Sequence, residues 1–503
     1  MRKILMILLV FISVTSCNKL DFLNTNVKDF TVVPGEAVFN GATRALLNQL
    51  FTMNVNNNNT LLFVQHFAET TYPDESRYDM VTRPIPATNM NVLYRNVLVN
   101  YKDASRALTA ASLGGIDQKQ RDNQLAIIEV MSVFTWSNIV ETYGNMPYTE
   151  ALDYTKPNPK YDDGLTIYKD LITRLNAAIA KLDPNFGGMG AGYDNVFGGG
   201  VDGTPMWIKF ANTLKLRMGL MLSDLDAAYA KTVVESAAPN VFSDPITSPS
   251  TGDKFAMTFL KDSPNTNPRY TELFLSGRSD FVATSVFVNP MNALNDPRRP
   301  GFLWTKINGA YSGGAQGEPN AFANFTHVNI DKTISPFLDP TSEVVLLDYT
   351  ETEFLLAEAV ERGFAVGGTA ATHYNNAVTS SIKYWGGTDA EAAAYLAQPA
   401  VAYATATGTW RQKIGTQAWI AYYFRGFTAW TSWRRLDYPR LIASPDHVQE
   451  VNGIPVRYTY AVSEQTLNGA SYTAAAAAIG GDKAETRLFW DKGPENYDSS
   501  YKQ

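Results

Sequence analysis

A mainly α-helical protein is expected, in which helix pairs of the tetratricopeptide kind, an α-α superhelix, stand beside an irregular, loop-rich half. Three observations predict it. Apolar side chains recur at three- and four-residue spacing over about 38–235, and the same periodicity returns over about 349–435. The stretch between, about 236–345, is rich in Pro, Asn, Gly and Ser and has few periodic runs.

The chain opens on a segment of another kind. Arg2 and Lys3 precede the apolar run Ile4 to Val14, and Ser16 stands before Cys17, the one cysteine of the chain. Eleven apolar residues are short of the roughly 20 that a membrane-spanning helix needs, so residues 1–16 read as a secretory signal that is removed. Small residues ahead of a lone cysteine resemble a bacterial lipoprotein processing site, with Cys17 acylated as the first mature residue. No later segment qualifies as a span on this reading. Residues 17–503 are then expected to form one domain.

Helical stripes follow in order. Tyr94, Leu98, Tyr101 and Leu108 make the first; Leu125, Ile128 and Met131 begin the second. Leu165, Tyr168, Ile172, Leu175, Ile179 and Leu182 make the third without a miss. After the glycine-rich 186–203 loop, Thr204 and Pro205 predict an N-cap and first turn for a helix carrying Trp207, Phe210, Leu214, Met218 and Met221. Beyond the loop-rich stretch, Thr350 and Glu353 predict a capping box and Gly363 a stop. Tyr374, Val378, Ile382 and Trp385 form the partner stripe, completing a hairpin of about 36 residues, close to the tetratricopeptide length of roughly 34. One further helix is expected from about Gly415 to Trp433.

Composition excludes several functions. Of 503 residues, 42 are Lys or Arg and 49 Asp or Glu, so the net charge is -7 and a basic nucleic-acid-binding surface is not expected. Removing residues 1–16 deletes Arg2 and Lys3 and no acid, giving -7 minus 2, or -9. Anionic lipid is therefore not attracted by charge, and lipid on Cys17 would be the anchor. A single cysteine and four dispersed histidines (66, 327, 373 and 447) give no home to a disulfide framework, a thiolate metal site or a cofactor. No H-E-x-x-H, G-x-S-x-G, Walker or dinucleotide-binding motif is present, and catalysis is not expected. Asp162, Asp163 and Asp202 near turns raise calcium, but no alternating carboxylate loop surrounds them, and helix-capping and turn roles account for them more simply.

Ordered motifs then resemble a known family. Behind the lipoprotein-like start Cys17-Asn-Lys-Leu-Asp-Phe-Leu-Asn-Thr-Asn26 come Phe354-Leu-Leu-Ala-Glu-Ala359 and Tyr374-Asn-Asn-Ala377. The long signature Trp419-Ile-Ala-Tyr-Tyr-Phe-Arg-Gly-Phe-Thr-Ala-Trp-Thr-Ser-Trp-Arg-Arg435 follows, then Tyr438-Pro439, Ile454-Pro-Val-Arg457 and Phe489-Trp-Asp-Lys492. The set resembles the SusD/RagB family of Bacteroidetes outer-membrane lipoproteins, in its SusD-like branch, over essentially the whole mature chain. Ser471-Tyr-Thr-Ala departs from the more usual Asn-rich segment. The resemblance implies helix pairs on one side, loops on the other, and a surface-exposed, lipid-anchored protein that caps a SusC-like TonB-dependent barrel. It implies capture of an oligosaccharide or polysaccharide, or in the alternative of a peptide, without catalysis.

Trp430, Trp433, Arg434 and Arg435 carry the helical spacing of core, so the ligand is expected in loops that hold rings, amides and charges. Two stretches fit. Tyr72, Asp74, Arg77 and Tyr78 form one candidate set; Trp304, Asn308 and Tyr311, beside Gly313 and Gly314, form the other.

Overall fold

The computed structural model describes residues 33–244, 252–328, 339–444, 446–448 and 453–492; the expected signal segment and Cys17 lie outside them. Helix α1 (Gly35–Phe51) leads, and α2 (Val99–Ala110) is reached through a short helix, Ile85–Asn91, and a π-helical stretch, Val92–Leu98. The first stripe is therefore not one α-helix: Tyr94 and Leu98 sit on the wider π turn and Tyr101 and Leu108 on α2. The two helices lock together through Phe39 against Tyr101, with ring centroids 5.8 Å apart, and a 3.1 Å hydrogen bond between Thr43 and the Tyr101 hydroxyl.

Asp117 caps α3 (Gln118–Tyr143) by accepting from Lys119 N. This 26-residue helix is long and apolar enough to cross a membrane by length and composition, against the expectation that no later segment qualifies. It is instead wrapped by protein on nearly every side from Ala126 onward. Asp163 caps α4 (Gly164–Lys181), and its third-stripe residues Tyr168, Ile172 and Leu175 are buried against α3. Helix α5 (Gly203–Met221) starts a residue before the expected cap. Thr204 lies inside the first turn, where its hydroxyl donates to Phe186 O and ties down the glycine-rich loop. Asp226 caps α6 (Ala227–Ala237).

Strands among the described residues are short and pair two by two, all antiparallel. β1 (Phe67–Glu69) pairs with a strand at Phe281–Ala283, β2 (Met146–Pro147) with β3 (Tyr161–Asp162), and β4 (Lys254–Met257) with one at Val344–Asp348. The two later partners are β5 (Phe281–Ala283) and β6 (Val344–Asp348). They tie β1 and β4 to later parts of the chain, and helix α7 (Ser285–Ala293) follows β5 directly.

β6 runs into α8 (Tyr349–Glu361), and the expected capping box at Thr350 and Glu353 is corrected here. Asp348 is the cap, accepting from Glu351 N at 2.8 Å, and Glu353 binds His373 and Asn376 of the next helix. Gly363, with φ 76°, ends the helix, and α9 (Ala370–Tyr384) packs back along α8 as the expected hairpin. After α10 (Asp389–Leu396), the single helix expected over 415–433 is two: α11 (Trp410–Ala421) and α12 (Gly426–Leu436). Phe424 at φ 66° makes the break. The turn lets Arg425 reach Asp348 and Glu351, and it brings Gly426 so close to Thr60 that a Cβ there would lie 2.3 Å from the threonine hydroxyl.

The signature rings build the core where α12 meets the loops. Trp430 is buried, its Nε1 donates to Pro455 O at 2.8 Å, and Phe63 and Tyr458 pack on it. Removing roughly 200 Å² of such a side chain from water contributes about 5 kcal/mol. Arg434 lies 3.7 Å from that ring and donates to Glu141 O and Val456 O; burial pushes its pKa down to about 9. Arg435 pairs with buried Glu358. These residues are scaffold.

Candidate ligand-binding cleft

The 72–78 loop leaves the end of β1 and lies against the 315–320 segment. Gln316 Nε2 donates to Ser76 O at 3.1 Å, and Arg77 Nε donates to Gly317 O at 2.7 Å, with Asp446 3.6 Å from the guanidinium. Tyr72, 63% exposed, and Asp74 face solvent, while Arg77 is half-buried. Tyr78 differs from the sequence expectation: it is fully buried, at φ 71°. Its ring meets Phe63, its hydroxyl accepts from Gln65 Nε2 at 3.3 Å, and burial pushes its pKa up to about 12. A ring so enclosed cannot stack on a ligand.

Trp304 is corrected in the same way. It is 5% exposed, among Phe287, Phe302 and Tyr423, and its indole Nε1 donates to the Tyr423 hydroxyl at 3.0 Å. The large apolar ring and its one donor are both satisfied inside. Tyr311 covers it, half-buried, with Arg299 and Lys306 each 5.5 Å from the Tyr311 ring. Asn308 sits exposed on the turn, at φ 50°. Among the described residues no polar or ring contact joins 72–78 to 304–311. The segment that meets the first loop, at Gln316 and Gly317, follows the second in the chain.

A different place offers a concave, polar surface. A cleft of about 340 Å³ opens between the C-terminal half of α1, the π-helical stretch Val92–Leu98 and the 264–272 loop. Both π-helical stretches among the described residues border it. Val92 and Asn96 come from one, and Thr271 and Glu272 from the other, Thr271–Leu275. Insertions of this kind widen a helix and re-aim its side chains, and they recur at functional sites.

Amides and hydroxyls line this cleft, Asn48, Gln49, Asn57, Asn96, Thr266 and Thr271, together with apolar Ala45, Val92, Pro264 and Pro268. Gln49 Nε2 is held by Asn57 O and Asn89 Oδ1, both at 2.9 Å, and the Thr266 and Thr271 hydroxyls meet at 3.0 Å. The buried Oδ1 of Asn48 has no hydrogen-bond partner among the described residues. Glu272 is the one charged residue in the lining. Burial raises its pKa, and Asn54 Nδ2, 3.1 Å from Oε1, opposes that rise. A cleft lined mainly by neutral donors and acceptors beside apolar side chains suits a neutral polyhydroxylated ligand.

The cleft also reaches toward the first predicted loop. Arg278 and Asp280 lie within electrostatic range of Glu272, and Asp280 O accepts from Thr70 N at 2.9 Å, two residues before Tyr72. Tyr72 is exposed on that loop and is not itself part of the cleft's lining. The Asn54–Asn59 amides and the Ser263–Pro268 stretch carried the signal that sequence reading missed: clustered neutral amides in turns.

Two of the acidic residues raised for calcium serve the fold. Asp163 caps α4, and Asp162 accepts from Thr149 N and Oγ1. No group of three or more His, Cys, Asp or Glu side chains is arranged to hold a metal among the described residues.

Comparison with known proteins places these observations. The family model described as "SusD-like_2: Starch-binding associating with outer membrane" matches residues 27–461. Solved structures share the fold. A chitin-binding protein is 24% identical, with 91% of this chain and 100% of that chain covered and a TM-score of 0.74. A SusD homolog from Bacteroides uniformis is 23% identical, with 91% and 99% covered and a TM-score of 0.76. A chitin-binding SusD homolog from Flavobacterium johnsoniae is 21% identical, with 91% and 100% covered and a TM-score of 0.74. No curated protein gives a significant sequence match.

Proposed function

Because the chain belongs to the SusD-like family of starch-binding proteins that associate with the outer membrane, we propose that it captures an oligosaccharide in the cleft between α1 and the 264–272 loop. It then delivers that ligand to a SusC-like TonB-dependent barrel. The observation that carries this reading is a lining that is neutral but for Glu272. Asn48, Asn96, Thr266 and Thr271 present donors and acceptors without a lining cation, beside prolines that match the apolar face of a sugar ring.

Tyr72 would extend the platform at the rim, with Asp74 and Arg77 beside it. A rigid exposed ring loses little entropy when a sugar stacks on it. Tyr311 and Asn308 form a separate patch and would at most meet a long polysaccharide. Since two structural relatives are described as chitin-binding, N-acetylated sugars belong in the test beside starch-derived ones. Anchoring through lipid on Cys17 would hold the protein at the cell surface over its barrel.

Calorimetric titration with malto-oligosaccharides, chito-oligosaccharides and a mixed peptide pool tests the reading. A saturable sugar signal weakened at least about tenfold, or about 1.4 kcal/mol, by both Asn96→Ala and Tyr72→Ala is expected. A peptide signal in place of sugar would move the protein to the peptide-capturing branch. Sugar binding untouched by both variants would move the site elsewhere. Isolation of the lipid-anchored protein from membranes should bring a much larger barrel with it; recovery of the protein alone would remove the delivery step.

A further inference from the structure

Two carboxyl groups close the neck of the loop that carries Tyr72. Glu69, at the end of β1, is 4% exposed, and Glu75, six residues on, is 1% exposed. Ser76 N and Oγ donate to Glu69 Oε2 at 2.8 and 3.1 Å, and the two carboxyls lie within hydrogen-bonding reach of each other. Two buried carboxylates this close cannot both be ionised without a large cost, so one holds a proton and donates it to the other. Between them the chain loops outward through exposed Tyr72 and Asp74.

The surrounding charges do not cancel the pair. Arg83, five residues beyond the loop, is the cation in contact, 2.6 Å from Glu75 Oε2 and partly exposed. Asp74 adds a negative charge beside Glu75. From the 315–320 segment, Asn320 Nδ2 donates to Glu69 O; Glu318 there is exposed. From the β5 side, Phe281 lies opposite Glu69, and Asp280 is already paired with Arg278 at 2.6 Å. Arg77 points away, to Gly317 O and Asp446.

We infer that the proton shared by Glu69 and Glu75 is a latch on the 70–78 loop, so that loss of this proton frees Tyr72 from its place on the rim. This rests on the reading of that loop as the edge of the ligand cleft. The latch itself does not need a ligand. Burial and Glu75 raise the Glu69 pKa from 4.5 to about 8 in the closed loop. A raised value means the closed form holds the proton more tightly than the open one. Closure is therefore strongest below about pH 4.5, weakens as pH rises through neutrality, and weakens no further once the closed form has also ionised near pH 8.

Amide hydrogen exchange of the full chain tests this without ligand. Exchange at 70–78 in the wild type, divided by that in Glu69→Gln at the same pH, removes the intrinsic pH dependence of exchange. Glutamine keeps the shape and a donor but cannot ionise. The ratio is expected to rise about tenfold per pH unit between pH 5 and 8 and to level off above. A ratio flat across that range would overturn the latch. Should Glu69→Gln not fold, the carboxyl carbon resonance of Glu69 in the wild type decides. A midpoint near 8 supports the shared proton, and a midpoint near 4.5 refutes it. Loss of sugar binding in the titration above with an intact latch would count against the capture site alone.

Discussion

Arg425→Met is expected to destabilise the protein by about 3–5 kcal/mol at pH 7. The guanidinium Nη1 is 3.0 Å from Asp348 Oδ1; Nη2 bonds the Glu351 carboxylate and donates to Leu346 O at 3.2 Å. Two charge-assisted bonds at roughly 1.5–3 kcal/mol each bracket the loss. The larger part comes from what is left behind. Glu351 is 3% exposed, and without Arg425 its nearest cation is Arg217, 4.0 Å away. Burial already raises the Glu351 pKa, and Arg425 is the strongest influence opposing that rise. Removing it raises the folded value further, so the variant gains relative stability as the acid becomes neutral. The deficit should shrink as pH falls from 7 to 5. Urea denaturation at both pH values measures it, and the double variant Arg425→Met/Glu351→Gln should recover part of the loss at pH 7. A deficit under about 1 kcal/mol, the range of an exposed pair, or one of equal size at both pH values, would refute the reasoning.

Trp304→Ala should lower stability by about 3–5 kcal/mol, because the ring is enclosed and bonded to Tyr423. Tyr72→Ala should stay within about 0.5 kcal/mol, so chemical denaturation will separate a lost rim contact from a damaged core. His66 is buried with its Nε2 3.0 Å from Trp419 O, and burial pushes its pKa from 6.5 to about 3. Its neutral form therefore supports the fold fully above pH 6.5 and progressively less as pH falls toward 3. Ring-proton NMR should show no His66 titration between pH 5 and 8, and a midpoint near 6.5 would contradict this. Gly426→Ala should cost about 1–3 kcal/mol, since the new methyl meets Thr60; an unchanged thermal midpoint would mean that α12 can move away.

Periodicity located the helices well because their buried faces come from single continuous segments. Tyr168, Ile172 and Leu175 on α4, and Tyr374, Val378 and Ile382 on α9, are core in the structure as their spacing requires. Where spacing failed, a distant partner decided. The 415–433 stripe reads as one helix until Arg425 is seen to need Asp348 and Glu351, which lie more than seventy residues earlier in the chain. Thr350 and Glu353 satisfy the capping pattern, yet Asp348 arrives first at the end of β6 and takes the cap. The exposure of a ring was equally unreadable. Tyr72 and Tyr78 share one short loop, and only the second turns under Ser444 and Gln65.

By itself the sequence determined the mainly helical class, the placing of the loop-rich stretch, the scaffold role of the Trp430–Arg435 cluster and the family resemblance. Each of these follows from patterns local in the chain or from motifs in order. Tertiary structure alone decided the cleft. Its walls, Asn48 and Gln49, Asn96, and Thr266 to Glu272, come from three segments spread over more than two hundred residues. Neutral amides carry no periodic signal and shift no charge balance. They become a site only when the α1 C-terminal half, a π-helical turn and a proline-rich loop fold to within a ligand's width of one another.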